Sequence, residues 1–440
     1  MGVIAASIPL FFLLIGIELA WARVRRAPLF RLNDSLADLA LGITSQLAGI
    51  FTKLINVGIY AAAWEFLRVQ RWAPFPAWAE SAPVTIRGGF AVHWAPLAAW
   101  TLAFVFIDFA YYWTHRLSHE IHILWAGHVV HHSSEEYNLT VALRQSALHG
   151  LFTWVFYLPI ALLGVPVAMF VTNYALNLLY QFWIHTRAID RFHPWIEAVW
   201  NTPSHHRVHH GVNPKYQDKN YAGVFITFDR WFGTWVPEEE EPVYGITKPL
   251  ESFNPVWANV HVFSEIGRLL RVTPRWRDKW RVLFGRPSWR PPEAGAPIVA
   301  PEVTRATFHQ YDPPVPRAVA AYAFAQFLIA LAASYLLLTA GGRLPIVQVG
   351  AASFYVILAL ANLGVLLEGH AWVVVPEVTR HLVLAAVALV AAGFGVWGWG
   401  AALVAAAACA VGALWLLALR DRLETNTAPG EDSPGAVLAA

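Results

Sequence analysis

Long apolar stretches alternate with short polar ones along this chain, and the alternation predicts its elements. Residues 2–22 are an apolar run with a single acid, Glu18. The basic residues follow the run, as Arg23, Arg25, Arg26 and Arg31. A cleaved signal peptide has the opposite order, so the run predicts a first spanning helix with its C-terminal end in the cytoplasm. Residues 37–66 predict a second apolar helix, longer than the ~20 residues a span requires. Residues 69–92 hold Pro74, Pro76, Pro83 and a Gly pair and read as an outside loop. Residues 94–113 predict a third span, which returns to the cytoplasm and runs straight into His115.

The next apolar run, residues 150–184, is interrupted by Gly164-Val-Pro166, a natural turn. Two helices of about 15 residues reach only ~23 Å each, short of the ~30 Å hydrocarbon core. The expectation is a short helical or re-entrant hairpin, with one long tilted span as the alternative. It leaves both ends of the run on one side of the membrane. Residues 185–316 are the most polar part. They contain an acidic knot from Glu238 to Glu241 and an Arg/Trp-rich stretch at 268–290, which suits either the headgroup layer or a solvated loop. A second apolar block predicts four spans near 318–340, 346–368, 381–397 and 400–419, with Arg317, Arg420 and Arg422 falling inside. The domain expectation is a membrane catalytic domain over 1–290, a Pro-rich linker over 291–316, a four-helix transmembrane block over 317–422 and a disordered tail over 423–440.

Composition agrees with an integral membrane protein. The chain has 57% hydrophobic and 14% charged residues and a mean hydropathy of +0.44, against about 25% charged in soluble proteins. The 22 tryptophans suit interfacial aromatic belts. A net charge of +2 gives no reason to expect a nucleic-acid partner. Cys409 is the single cysteine, which excludes a disulfide framework and a thiolate metal site.

The candidate chemistry lies in histidine. Most of the 18 histidines fall between His115 and His210. They are arranged as His115-x3-His119, His128-x2-His131-His132, then His185, His193 and His205-His206-x2-His209-His210. Residues spaced i, i+3 and i+4 share one helix face, so each cluster can aim two or three imidazoles at one point. A closed zinc site needs only four ligands, and the excess points to two metal ions. Imidazole alone does not name the metal. Carboxylates are scarce here; Glu120 follows His119, and Glu135 and Glu136 follow His132. Asp108 sits inside the third span, two turns before His115, where an acid is expensive and usually functional. It is expected to accept an N–H from a ligand imidazole, with an Arg or Tyr partner as the alternative. His93, His149, His370 and His381 read as packed core residues, and His122 as either packing or support for a ligand.

These boxes resemble the fatty acid hydroxylase/sterol desaturase superfamily of membrane non-haem di-iron oxygenases. Trp125–Ser146, Gln181–Thr186, Asn201–Gly211, Asp218–Val224 and Asp229–Thr234 are most similar to its alkylglycerol monooxygenase-like, ether-lipid-cleaving branch. The resemblance covers roughly residues 30–240 and implies an all-α, polytopic membrane bundle with a cytoplasmic-side helical cap. It implies two irons held by His115, His119, His128, His131, His132, His185, His206, His209 and His210. It also makes Glu120 an essential acid. Some relatives carry a further histidine where Ile189 stands, so either one ligand is missing here or His193, His205 or Glu120 supplies it. The implied reaction is hydroxylation of an unactivated C–H of a lipid taken from the bilayer. Sterol or fatty-acyl hydroxylation or desaturation is the alternative within the superfamily. A metal transporter is the competing class; it would place its ligands at the bilayer midplane, whereas these boxes sit at span ends. The chain carries no dinucleotide fingerprint, so electrons come from a separate donor, a tetrahydrobiopterin or another external reductant.

Overall fold

The computed structural model describes residues 3–67, 84–86, 90–92, 94–299 and 301–424. It contains α1 (Val3–Arg25), α2 (Leu32–Leu67), β1 (Val84–Ile86), β2 (Phe90–Val92), α3 (Trp94–Glu120), α4 (His122–His132), α5 (Gly150–Thr153), α6 (Leu158–Leu162) and α7 (Val167–Trp183). The short helices α8 (Pro194–Glu197), α9 (Pro203–His209) and α10 (Thr227–Phe232) follow, then α11 (Pro255–Val272) and α12 (Trp276–Phe284). The chain continues with α13 (Arg317–Ala340), α14 (Ile346–Leu367), α15 (Val374–Gly393), α16 (Trp399–Ala418) and α17 (Arg420–Glu424). The fold is all-α apart from β1 and β2, a two-stranded antiparallel pair with Val84 opposite Val92 and Ile86 opposite Phe90. The rest of the expected outside loop, and residues 425–440 of the expected tail, lie outside the described residues.

Seven of the described helices are long and apolar enough to cross a membrane: α1, α2, α3 and α13 to α16. This is a multi-pass membrane protein. The chain divides into two compact units, Met1–Leu250 with Asn259–Gln310, and Glu251–Ala258 with Tyr311–Ala440.

In the first unit, the run at 150–184 is a broken helical pair, as the Gly164-Val-Pro166 turn predicts. Gly164 takes φ 89°, a conformation that side chains with a Cβ resist. Pro166 then caps the start of α7. The turn is buried against α2, so its carbonyls need partners. Tyr60 Oη donates to the Val165 carbonyl (2.9 Å) and Trp64 Nε1 to the Gly164 carbonyl (3.1 Å). Tyr60, Ala99, Ala103, Ile107, Ile160, Ala161 and Met169 form the apolar core that joins α2, α3, α6 and α7. A second core packs Ala126 and Val129 of α4 against Val262, Ile266 and Leu269 of α11 and Val282 of α12. The back of the helix carrying the second histidine box is therefore fixed by apolar contact.

In the second unit, α15 begins seven residues before the position expected from hydropathy. The polar segment Glu377-Val-Thr-Arg-His, most of it ahead of the expected span, lies within this helix. Its charges neutralise one another internally. Arg380 Nη2 and Nε donate to the two oxygens of Glu377 at 2.6 and 2.8 Å. Tyr322 and Asn362 also donate to Glu377, each at 3.0 Å. A buried pair of opposite charges with its remaining sites hydrogen-bonded is tolerable where an isolated charge is not.

Candidate metal centre

Four elements deliver imidazoles to one buried region. The last two turns of α3 present His115 and His119. The chain breaks at Ile121, which is extended (φ −115°, ψ 123°), and restarts as α4 with His128, His131 and His132. His185 follows the end of α7. Pro203 opens α9 at a position where its missing N–H costs nothing, and that helix carries His206 and His209 with His210 as its cap.

The nine histidines fall into two sets. His115, His119, His128, His132 and His209 form one, and His131, His185, His206 and His210 the other; within each set the nearest donor nitrogens all lie within 4.8 Å of one another. The sets are adjacent, with the His132 and His210 rings stacked at 4.4 Å.

Backbone carbonyls decide how these rings point. The Nδ1–H of His115 donates to the Tyr221 carbonyl (2.7 Å), that of His131 to Arg144 (2.9 Å), that of His185 to Gln181 (2.7 Å) and that of His209 to Lys219 (2.9 Å). Each bond places the proton on Nδ1 and leaves Nε2 with a bare lone pair. For His131 and His185 the two Nε2 atoms then face each other at 3.2 Å with no proton between them. Two lone pairs at that distance repel unless a cation sits beside both. The Nε2 atoms of His115, His119, His209 and His210 and the Nδ1 of His206 are buried without a hydrogen-bond partner. Unpartnered buried polar atoms are rare in folded proteins, and five of those here belong to the two histidine sets. The donor set therefore fits two metal ions.

Protonation agrees. Burial pushes His131 down to about 4 and His209 to about 3. Burial and then neighbouring imidazoles hold His128, His132, His185, His206 and His210 well below the usual histidine range. All are neutral near pH 7, which is the form that ligates.

Asp108 plays a different part from the one expected. Its carboxylate accepts from Val224 N (2.9 Å), Phe225 N (2.9 Å) and Asn177 Nδ2 (2.6 Å), with no imidazole, arginine or tyrosine among these donors. Asp229 accepts the next pair of amides, Tyr221 N and Ala222 N, both at 2.8 Å. Two buried carboxylates thus clamp the 221–225 turn, and that turn supplies the carbonyl that orients His115. Gly223 is required there, because a Cβ would lie 2.6 Å from Asp108 Oδ1. On its other side, Asn177 accepts from Gln181 Nε2 (2.6 Å), and the Gln181 carbonyl orients His185. Hydrogen bonds thus connect Asp108 to both sets through the 221–225 turn on one side and Asn177 and Gln181 on the other.

The remaining candidates belong to neither set, although the His149 ring lies 5.1 Å from that of His128. Glu120 pairs with Arg116 at 3.0 Å. His122 donates Nδ1–H to the Val282 carbonyl. His149 meets Ser118 Oγ at 3.0 Å. His205 lies by Thr202 (3.4 Å), His193 is exposed, and neither joins a set. His381 packs against Tyr322, His370 is half exposed beside Glu368, and His93 lies outside the described residues.

Several supports went unread in the sequence. Arg144 donates to the Val130 carbonyl, Ser133 Oγ and Asp38, while its own carbonyl takes His131. Arg207 forks onto Glu238 with two bonds of 2.7 Å. Glu18 of α1 accepts from Leu139 N (2.8 Å) and from Thr186 Oγ1. Asp218 and Asn220 take left-handed φ of 57° and 54°, setting the carbonyls between them and beyond. An acid inside an apolar run was the signal available for Glu18; the others lie in polar loops where nothing local distinguishes them.

A multi-pass helical bundle with two converging histidine sets beside its third span defines a membrane metalloprotein. Residues 100–234 match the fatty acid hydroxylase family. The chain is 36% identical to the alkylglycerol monooxygenase of Xenopus tropicalis, over 84% of this chain and 79% of that protein. It is 36% identical to that of Danio rerio, over 81% and 75%, and 40% identical to that of Homo sapiens, over 67% and 62%. No solved structure matches the chain. The chain belongs to the alkylglycerol monooxygenase branch of the fatty acid hydroxylase family.

Proposed function

We propose that this protein is a di-iron lipid monooxygenase that cleaves the ether bond of alkylglycerol-type lipids, with its site at the cytoplasmic face. As a member of its family it is an oxidoreductase of the monooxygenase/hydroxylase class. Imidazole suits zinc, copper, iron and nickel alike. Zinc has no redox chemistry, so an oxygen-inserting enzyme with this donor set would use a redox-active metal, and membership of the fatty acid hydroxylase family supports iron. His115, His119, His128, His132 and His209 would hold one ion, and His131, His185, His206 and His210 the other. The irons supply activation of dioxygen, with two electrons from a separate donor of the tetrahydropterin class.

The protein groups bind, orient and exclude water. Carbonyls of Tyr221, Arg144, Gln181 and Lys219 fix the imidazoles before metal arrives. Buried Tyr137, against His185 and His210, and Tyr221, against His119, wall the region against solvent, which protects a reactive centre from side reactions. The carbon next to the ether oxygen exchanges one C–H for C–OH, and the second oxygen atom leaves as water with two protons and two electrons. The resulting hemiacetal falls apart to a fatty aldehyde and the glycerol. A substrate of this kind reaches the site from the bilayer, where α1 and α3 end and α2 begins. Cytoplasmic placement is supported by Arg23, Arg25, Arg26 and Arg31 at the end of α1.

The observation that carries the reading is the facing pair of unprotonated Nε2 atoms on His131 and His185. The test is metal analysis of the purified protein, followed by product analysis with an alkylglycerol and a tetrahydropterin. Two irons per chain and aldehyde release are expected. An iron-free active protein would refute the metal assignment. Iron-dependent oxidation of a sterol or acyl chain without ether cleavage would refute the substrate assignment alone.

A further inference from the structure

The Arg/Trp-rich stretch after the histidine boxes takes no part in the centre, and its conformation is unusual. Residues 268–290 carry Arg268, Arg271, Arg275, Arg277, Lys279, Arg281, Arg286 and Arg290 against the single acid Asp278. This concentration stands in a chain whose net charge is only +2. Within it, α12 turns its large apolar side chains outward. Trp276, Trp280 and Phe284, at i, i+4 and i+8, are 75%, 60% and 54% exposed, while the smaller Val282 is buried against α4 and α11. Arg277 and Arg281 lie next to that stripe on the exposed side. Trp280 and Phe284 stack on each other at 5.3 Å, and Lys279 sits 5.1 Å over the Trp276 ring.

An exposed aromatic stripe flanked by cations is costly in water and marks an interaction surface. Trp and Arg together match the polar–apolar boundary of a bilayer, where the ring sits among the headgroups and the guanidinium meets phosphate. We infer that α12 is an interfacial helix that seats its Trp276, Trp280 and Phe284 face in the bilayer surface and selects anionic phospholipid headgroups through Arg275, Arg277 and Arg281. The occupant is a lipid surface because the same compact unit already contains membrane-spanning helices, and the charge complement is an anionic one. The seat is coupled to the histidine centre. His122, the first residue of α4, donates its backbone N–H to the Gly285 carbonyl and its Nδ1–H to the Val282 carbonyl, both at 3.0 Å. Lipid engagement of α12 thereby bears on the helix that carries His128, His131 and His132. The inference does not depend on which metal or substrate that centre takes.

The test uses the full chain in nanodiscs of phosphatidylcholine, with and without about one third phosphatidylglycerol, and reads amide hydrogen exchange over 276–284. At roughly 1 kcal/mol per engaged basic residue, two arginines predict exchange slowed by tenfold or more in the anionic discs. The preference should vanish in high salt, which screens surface charge. An Arg277→Glu/Arg281→Glu variant should lose the difference between the two disc types while keeping wild-type metal content, which reports an intact α4. A Trp276→Ser/Trp280→Ser variant should exchange faster in both. Equal exchange of the wild type in the two lipids would overturn the proposal. So would a difference that survives the charge reversal, or protection that appears only when a soluble acidic protein is added.

Discussion

Asp108→Asn isolates the positioning chemistry around the centre. The wild-type carboxylate faces three donors, two on Oδ1 (Val224 N, Asn177 Nδ2) and one on Oδ2 (Phe225 N). Asparagine has the same shape but carries an NH2 on one branch. With that NH2 on the Oδ2 side, one bond is lost and the half-buried Phe225 N–H faces another donor; with it on the other side, two are lost. An unsatisfied buried donor costs about 1–3 kcal/mol, so the milder orientation sets the expected loss of stability. Function should suffer more than stability. The 221–225 turn carries the carbonyl that orients His115, and Asn177 and Gln181 lead to the one that orients His185. Loss of such outer support typically costs ~10–100-fold in metal affinity or activity. The assay is iron stoichiometry by mass spectrometry, together with thermal unfolding and turnover of an alkylglycerol, on protein purified side by side. D108N with wild-type iron content, melting and turnover would refute the clamp argument. Normal melting with lost iron would confine its role to the centre.

Other outcomes follow from the same geometry. His131→Ala should abolish bound iron in its set and all activity while leaving membrane insertion intact, checked by metal analysis and detergent extraction profile. His205→Ala and His193→Ala should retain wild-type iron content, since neither ring joins a set; loss of iron in either would show that the sets are wrongly drawn. Chelation of the metal should lower the unfolding temperature and ferrous iron should restore it, because repulsion among unpartnered nitrogens returns when the cation leaves; an unchanged melting curve would count against bound metal in the folded protein. Glu18→Ala should strand the Leu139 N–H, destabilising the protein by about 1–3 kcal/mol, and should loosen the loop next to His185, read as a lower iron content.

The pattern of spans was legible in the chain because membrane burial acts on composition over some twenty residues, a local property. It was misread at α15, where Glu377 and Arg380 cancel each other only once the helix forms and Tyr322 and Asn362 arrive from other helices. The broken helix at Gly164 was likewise legible, since a turn residue and a proline act within their own segment. Asp108 was recognised as significant from its cost in a span, but its partners lie more than sixty residues away and could not be read.

The division of the histidines shows the boundary between the two kinds of information. Successive helix residues point about 100° apart, so neighbours such as His131 and His132 diverge while His128 and His132, one turn apart, converge. The same rule separates His209 from His210, whereas His206 and His209, three residues apart, share a face and are parted only by how the helix packs. The second and third boxes, with their adjacent histidine pairs, were therefore already committed to serve two points, and the first box, with His115 and His119 one turn apart, to serve one. Which boxes meet, and that His185 and Arg144 join His131 there, depended on tertiary packing. Helical period is a property of the backbone alone, whereas the meeting of distant segments depends on which apolar faces and which unpaired carbonyls find one another when the chain closes.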